Sequence, residues 1–211
     1  MISKGARRHP KQMIDNAKLD SFWSWFRGVA DSLAADIENR SLVEEIDARV
    51  SQLDSKVSWE VGPGSHKAWQ FVISPNLDRD LWRKTREIIS HAPVIEGWEF
   101  YSARRPKDWD YKLLIERSDG REPIRLDTSS WAFVLLQYPD GRREVLLQGS
   151  NLPLLDDDER WQAAAIVLES ILGEDILLDR INEFELVNRL EPRFAEKQKP
   201  IQHLREVVGD N

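Results

Sequence analysis

Arg104, Arg105 and Lys107 stand among Trp98, Tyr101 and Trp109 in the stretch PVIEGWEFYSARRPKDWD, which runs from Pro93 to Asp110. Guanidinium groups flanked by aromatic faces hold phosphate or carboxylate and stack on planar rings, the chemistry of anionic-ligand and single-stranded nucleic-acid recognition. A plainer reading competes with it. A strand end followed by a charged loop around Pro106 is ordinary, and Asp108 and Asp110 neutralise the arginines locally. The six aromatic and basic residues are nonetheless the one binding surface that the sequence singles out.

Other groupings carry less. Glu99, Asp108, Asp110 and Asp127 would need to converge to hold Mg²⁺, with Lys107 assisting a hydrolysis, and their spacing does not demand it. Glu87 and His91 are four apart on an expected helix and share a face, yet two ligands do not make a metal site. The other histidines, His9, His66 and His203, are scattered, and HExxH is absent. Gly62-Pro63-Gly64-Ser65-His66 fails as a phosphate loop because Pro63 removes a donor and a strand follows, so it reads as a hairpin turn. Gly149-Ser150-Asn151 lacks the flanks of a nucleophile elbow. No residue is assigned a catalytic role, and neither a metal nor a cofactor is expected.

The whole chain narrows the classes further. A net charge of −7 and a pI near 5.2 argue against a general binder of nucleic acid or anionic membrane, which needs excess Lys and Arg. The charge is uneven. Lys4, Arg7, Arg8, Lys11 and Lys18 face only Asp15 in residues 1–18, whereas Asp156, Asp157, Asp158 and Glu159 mark an acidic C-terminal third. A basic arm on an acidic body reads as a solvated tail. With no cysteine, the chain has no disulfide, thiolate metal site or cysteine nucleophile, which fits the cytoplasm. The N-terminus has no apolar signal segment, and no run approaches the length of a membrane span. Nine tryptophans are costly to bury without partners for their N–H groups, so several are expected at half-exposed boundaries.

Periodicity supplies the elements that must position these residues. Phe22, Phe26, Val29 and Leu33 form an apolar stripe on a helix over 20–37 capped by Asp20 or Ser21. Ser41 and Glu44 make a capping-box pattern before Leu42, Ile46, Val50 and Leu53, completing a helical hairpin over 20–54. VSWEV and AWQFVIS read as a β-hairpin, and Asp78 caps a helix ending near Ala92-Pro93. Strands follow at 98–103, YKLLIE, 123–127, WAFVLLQY and REVLLQG, the last two joined by Pro139-Asp140-Gly141. An acidic-capped helix carries Trp161, Ala165, Leu168 and Leu172 on one face and stops at Gly173. Ile181, Phe184 and Leu186 suggest a last strand, and Pro200 opens a short helix over Ile201, Leu204 and Val208.

This order predicts an α+β fold: a twisted antiparallel sheet with helices mainly on one face, preceded by the helical hairpin. The expected organisation is a basic arm over 1–18, one domain over 19–188 with its sheet-containing core at 57–188, and a tail over 189–211. WEVGPG, AWQFVIS, the phrase APVIEGWEFYSARRP and ILGE at 171–174 together resemble a loosely defined group of uncharacterised bacterial α+β proteins across roughly residues 20–187. That resemblance implies no particular chemistry. By analogy with acidic proteins of similar size it points to an immunity-like or accessory role. The expectation is thus a cytoplasmic, non-catalytic protein that contacts a protein partner through residues 98–109, with no membrane involved and nucleic acid, through the basic arm, only a third reading. The alternative is an enzyme or small-anion binder using Arg104, Arg105, Asp108 and Asp110.

Overall fold

The computed structural model describes residues 14–117, 120–149, 152 and 155–209. Most of the expected basic arm, and parts of the 118–121 and 149–151 turns, lie outside those residues. The fold is α+β with mostly antiparallel strands. The chain forms two compact units: Met1–Asn76 with Asp80–Ser102, and Leu77–Arg79 with Ala103–Asn211.

Unit 1 opens with the expected helical hairpin, α1 (Asn16–Ala35) and α2 (Arg40–Leu53). Its caps differ from expectation. Asp15, not Asp20 or Ser21, accepts the Ala17 N–H at 3.0 Å, because Leu19 is fully buried and carries the apolar stripe one turn further back. Asn39, not Ser41, caps α2 through the Leu42 N–H, and Glu44 pairs instead with Arg40 at 3.0 Å. β1 (Ser58–Pro63) and β2 (Trp69–Ser74) make the antiparallel hairpin. α3 (Arg79–Ser90) then leads to β3 (Trp98–Tyr101), which pairs parallel to β2. A hairpin cannot join parallel neighbours, so the helical crossover sets this direction.

One face of the β1-β2-β3 sheet carries Trp59, Val61, Trp69, Phe71, Ile73, Trp98 and Phe100 against Leu19, Phe22, Trp23 and Phe26. Phe26 meets Phe71 at 4.7 Å and Trp98 at 5.4 Å between ring centroids, the latter edge-on, as aromatic quadrupoles favour. Trp23 is only 3% exposed, and its indole N–H donates to the Ile88 carbonyl at 2.9 Å, tying α1 to α3.

Among the described residues, unit 2 contains two further sheets. β4 (Lys112–Ile115) and β5 (Ile124–Asp127) form a two-stranded ribbon. β6 (Ala132–Gln137) and β7 (Arg143–Gln148) form the second hairpin. α4 (Asp157–Leu172) and α5 (Glu174–Arg180) then cross over to β8 (Glu183–Val187), parallel to β7. β9 (Lys199–Pro200) adds two residues along β6, a 3₁₀ turn spans Ile201–His203, and α6 (Leu204–Gly209) follows. The strand order is β8-β7-β6-β9.

α4 is the central helix of this unit. Ala163, Ala164, Val167, Leu168 and Leu172 are fully buried, packed with Phe133, Val145 and Leu147 of the sheet, Ile115 of the ribbon, and Leu204 and Val208 of α6. Small alanines let neighbouring elements approach. Trp161 departs from expectation: it is 55% exposed, outside the buried face. The acidic run serves as a full capping box, with Asp156 accepting the Glu159 N–H and Glu159 accepting the Asp156 N–H, both at 2.9 Å.

Gly173 ends α4 as expected, but α5 starts immediately, an element the sequence reading missed. Its φ of +78° favours glycine, and a Cβ there would lie 2.7 Å from Pro106 Cδ. Gly173→Ala is therefore expected to lower unfolding free energy by about 1–3 kcal/mol, measurable by denaturant titration.

Candidate functional site

The structure divides the six singled-out residues between the two units. Trp98 and Tyr101 belong to unit 1; Arg104, Arg105, Lys107 and Trp109 belong to unit 2. Trp98 is only 2% exposed, with its ring against Phe26 and near-parallel to Trp69 at 6.1 Å. It is a core residue of β3. Tyr101, at the end of the same strand, is half-buried and hydrogen-bonds the Glu99 carboxylate.

Arg104 lies in a segment fastened to the junction of α4 and α5. Its guanidinium approaches Glu169 at 3.4 Å, its N–H donates to Glu174 at 3.0 Å, and its carbonyl accepts the Glu174 N–H at 2.9 Å. Lys107 continues the attachment by donating its N–H to the Ser170 carbonyl at 2.8 Å, while the Lys107 and Arg105 side chains are exposed. Trp109 is half-buried against the unit 2 core, 5.3 Å from the Tyr111 ring, and its buried Nε1 has no hydrogen-bond partner among the described residues.

Glu174 organises this region and was missed because nothing in ILGED separates a buried acid from a helix-opening one. It is fully buried, and its carboxylate accepts the Leu77 N–H at 2.7 Å as well as that of Arg104. Two backbone donors satisfy what would otherwise be a costly buried charge. Glu169, one turn earlier, has a different balance. Burial raises its carboxyl above the ordinary value, the charge of Glu174 adds to that, and attraction from Arg104 and Lys107 opposes it.

The proposed carboxylate cluster stays apart in role. Asp110 pairs with Lys112 at 3.2 Å, Asp127 accepts from the Ser129 hydroxyl at 2.6 Å, and Asp108 is exposed. Glu99 serves the Gly64-Ser65-His66 loop of unit 1. Its carboxylate accepts the N–H groups of Ser65 and His66, the latter at 3.2 Å. Burial alone would raise this carboxyl, but those two N–H bonds and the Tyr101 hydroxyl together hold it below its ordinary range. A Cβ on Gly64 would stand 2.6 Å from both Glu99 Oε1 and the Lys67 carbonyl, so the loop requires glycine. The backbone here grips an anion much as a phosphate loop does, and the anion is the chain's own side chain. Among the described residues no group of three or more His, Asp or Glu is placed to hold a metal, and His91 faces Asp20 at 3.8 Å.

An aromatic pair whose sequence spacing points to packing alone lies elsewhere in unit 2. The exposed Trp161 ring sits 5.8 Å from Phe184 and stacks on it with planes 29° apart. Phe184 belongs to β8, an end strand of its sheet. Glu183 and Glu185 flank it and are exposed. The sequence signal was present in the alternation of EFELV, but helical spacing placed Trp161 among buried residues.

Two outcomes follow from the carboxylates. Glu174→Gln leaves one acceptor oxygen for two N–H groups and is expected to cost about 1–3 kcal/mol of stability in denaturant unfolding. Glu169 has a folded-state pKa above its unfolded one, so its contribution favours folding at low pH and is lost as pH rises through the raised value. Glu169→Gln should therefore flatten the stability–pH curve just above the ordinary carboxylate range. An unchanged slope there would refute the assignment. Comparison of the chain with protein-family models, curated proteins and solved structures gives no significant match.

Proposed function

We propose that this is a non-catalytic, immunity-like or accessory protein of the bacterial cytoplasm, and that it works by binding a protein partner. The observation that carries this reading is Trp161, 55% exposed and stacked on Phe184 at an end strand. A large, rigid aromatic surface left in water loses hydrophobic stabilisation in the free protein and regains it when covered. Tryptophan side chains in such positions concentrate binding energy at protein interfaces. Asp157 and Asp158, about one helical turn before Trp161, are exposed and border the patch with negative charge, consistent with a net charge of −7. A partner of opposite charge is attracted to that border at long range.

The basic turn has a weaker claim. Arg104 already pairs with Glu169, and the attachment of its backbone to Glu174 gives it a structural task. Trp98 supplies core packing.

A photo-crosslinking residue at Asp158, one helical turn from Trp161, reports occupancy of the patch in the native host. One defined crosslinked protein is expected, and Trp161→Ala should weaken its binding by about 2 kcal/mol, roughly thirtyfold. Its thermal melt should remain cooperative. The Arg104→Ala, Arg105→Ala double variant should retain the crosslink. Equal crosslinking with and without the Trp161 ring would sink this reading, and loss only in the arginine variant would return the interface to the basic turn.

A further inference from the structure

We infer that the partner supplies an extended segment alternating basic and apolar residues, which adds as a strand to the outer edge of β8. This inference rests on the partner-binding reading above and names its mode. β8 pairs on one side with β7 and ends the sheet, so among the described residues its other side carries backbone groups with no neighbouring strand. Such an edge is a template for a further strand.

The side chains of β8 divide by face. Phe184 and Leu186 point to the α4 side, where Phe184 meets Trp161 and Leu186 joins the core. Glu183 and Glu185 project on the other face, with Glu144 and Leu146 of β7 in register beside them. A strand laid along β8 would therefore place one set of alternate residues near Trp161 and Phe184 and the other beside the two glutamates. Apolar groups fit the first set and Lys or Arg the second.

Charged residues on an edge strand also guard against unwanted pairing, and here that effect discriminates between occupants. A second copy presenting its own β8 would bring glutamates alongside glutamates, which is unfavourable. A basic strand meets the opposite sign. Arg142 lies 3.7 Å from Glu183 and satisfies part of its charge, whereas Glu183 remains 65% exposed and open to a second cation.

The test is titration of the full chain with a synthetic peptide alternating lysine and valine. Its controls are a glutamate–valine peptide and a lysine–valine peptide N-methylated on alternate backbone nitrogens, made in both phases of the alternation. The lysine peptide should bind and the glutamate peptide should not. Methylation in one phase should abolish binding, because it removes the donors that face β8. Glu183→Lys with Glu185→Lys should weaken binding at least tenfold, as should Trp161→Ala, with melting curves confirming that both variants fold.

Three results would overturn strand addition: no binding of the lysine peptide, binding indifferent to methylation in both phases, or binding indifferent to the glutamate reversal. The Asp158 crosslink separates the two levels. A crosslink that depends on Trp161 but survives glutamate reversal keeps the partner and removes this mode, whereas a crosslink indifferent to Trp161 removes both.

Discussion

A buried carboxylate must be satisfied or protonated, and unit 2 depends on how Glu174 meets that requirement. Its acceptors are filled by the Leu77 and Arg104 N–H groups, which belong to stretches of chain far apart in sequence. Leu77 itself adopts a φ of +61°, a left-handed conformation unfavourable for a branched side chain, and follows Asn76 at +53°. The charge-assisted hydrogen bond from Leu77 helps offset that cost, since such bonds are stronger than neutral ones. Arg104 then completes a reciprocal pair with the Glu174 backbone, so one acidic residue orders the 77–79 and 103–107 segments together. Glu169 shares Arg104 with this arrangement and keeps a raised pKa, the mark of a carboxylate with too few partners for its burial.

The two units use one chain order. In unit 1, the β1-β2 hairpin is followed by α3 and then β3 parallel to β2; in unit 2, the β6-β7 hairpin is followed by α4 and α5 and then β8 parallel to β7. The shared geometry leaves the third strand at an end of each sheet. What differs is what lies beside that strand. Trp98 of β3 is enclosed by aromatic residues, whereas Phe184 of β8, at the margin of the unit 2 core, stacks under an indole that is itself half in water. The same topology thus yields a closed aromatic core in one unit and an open aromatic edge in the other.

The elements were largely legible because their causes are local. Apolar spacing marked α1 to α4, turn residues marked the β6-β7 connection, and Ile201, Leu204 and Val208 marked the last helical stretch. Capping was less so, because Asp15 and Asp20, or Asn39 and Ser41, offer similar side-chain acceptors and only the register of the buried stripe decides between them. Strand direction was not legible, since a β-strand has the same alternation whether its neighbour runs parallel or antiparallel. The division into two units was hidden for a similar reason, as no run of Gly, Pro or Ser marks Ser102. The exposure of single aromatic residues is the least legible: Trp98 and Trp161 both look amphipathic in sequence, and only packing reveals that the first is enclosed and the second exposed.

The position of Leu77–Arg79 within unit 2 has a consequence for cutting and for making the chain. No continuous fragment contains all of unit 2 without also carrying residues 80–102 of unit 1, because the short piece that Glu174 holds is separated from the rest by a helix and a strand. A gene segment that began at Ala103 would encode the acid without one of its two backbone donors. In synthesis from the N-terminus, Leu77 leaves the ribosome long before its acceptor exists, so the left-handed turn at Asn76-Leu77 is fixed by a residue translated 97 positions later. Completion of unit 2 is therefore a late event in the life of the nascent chain.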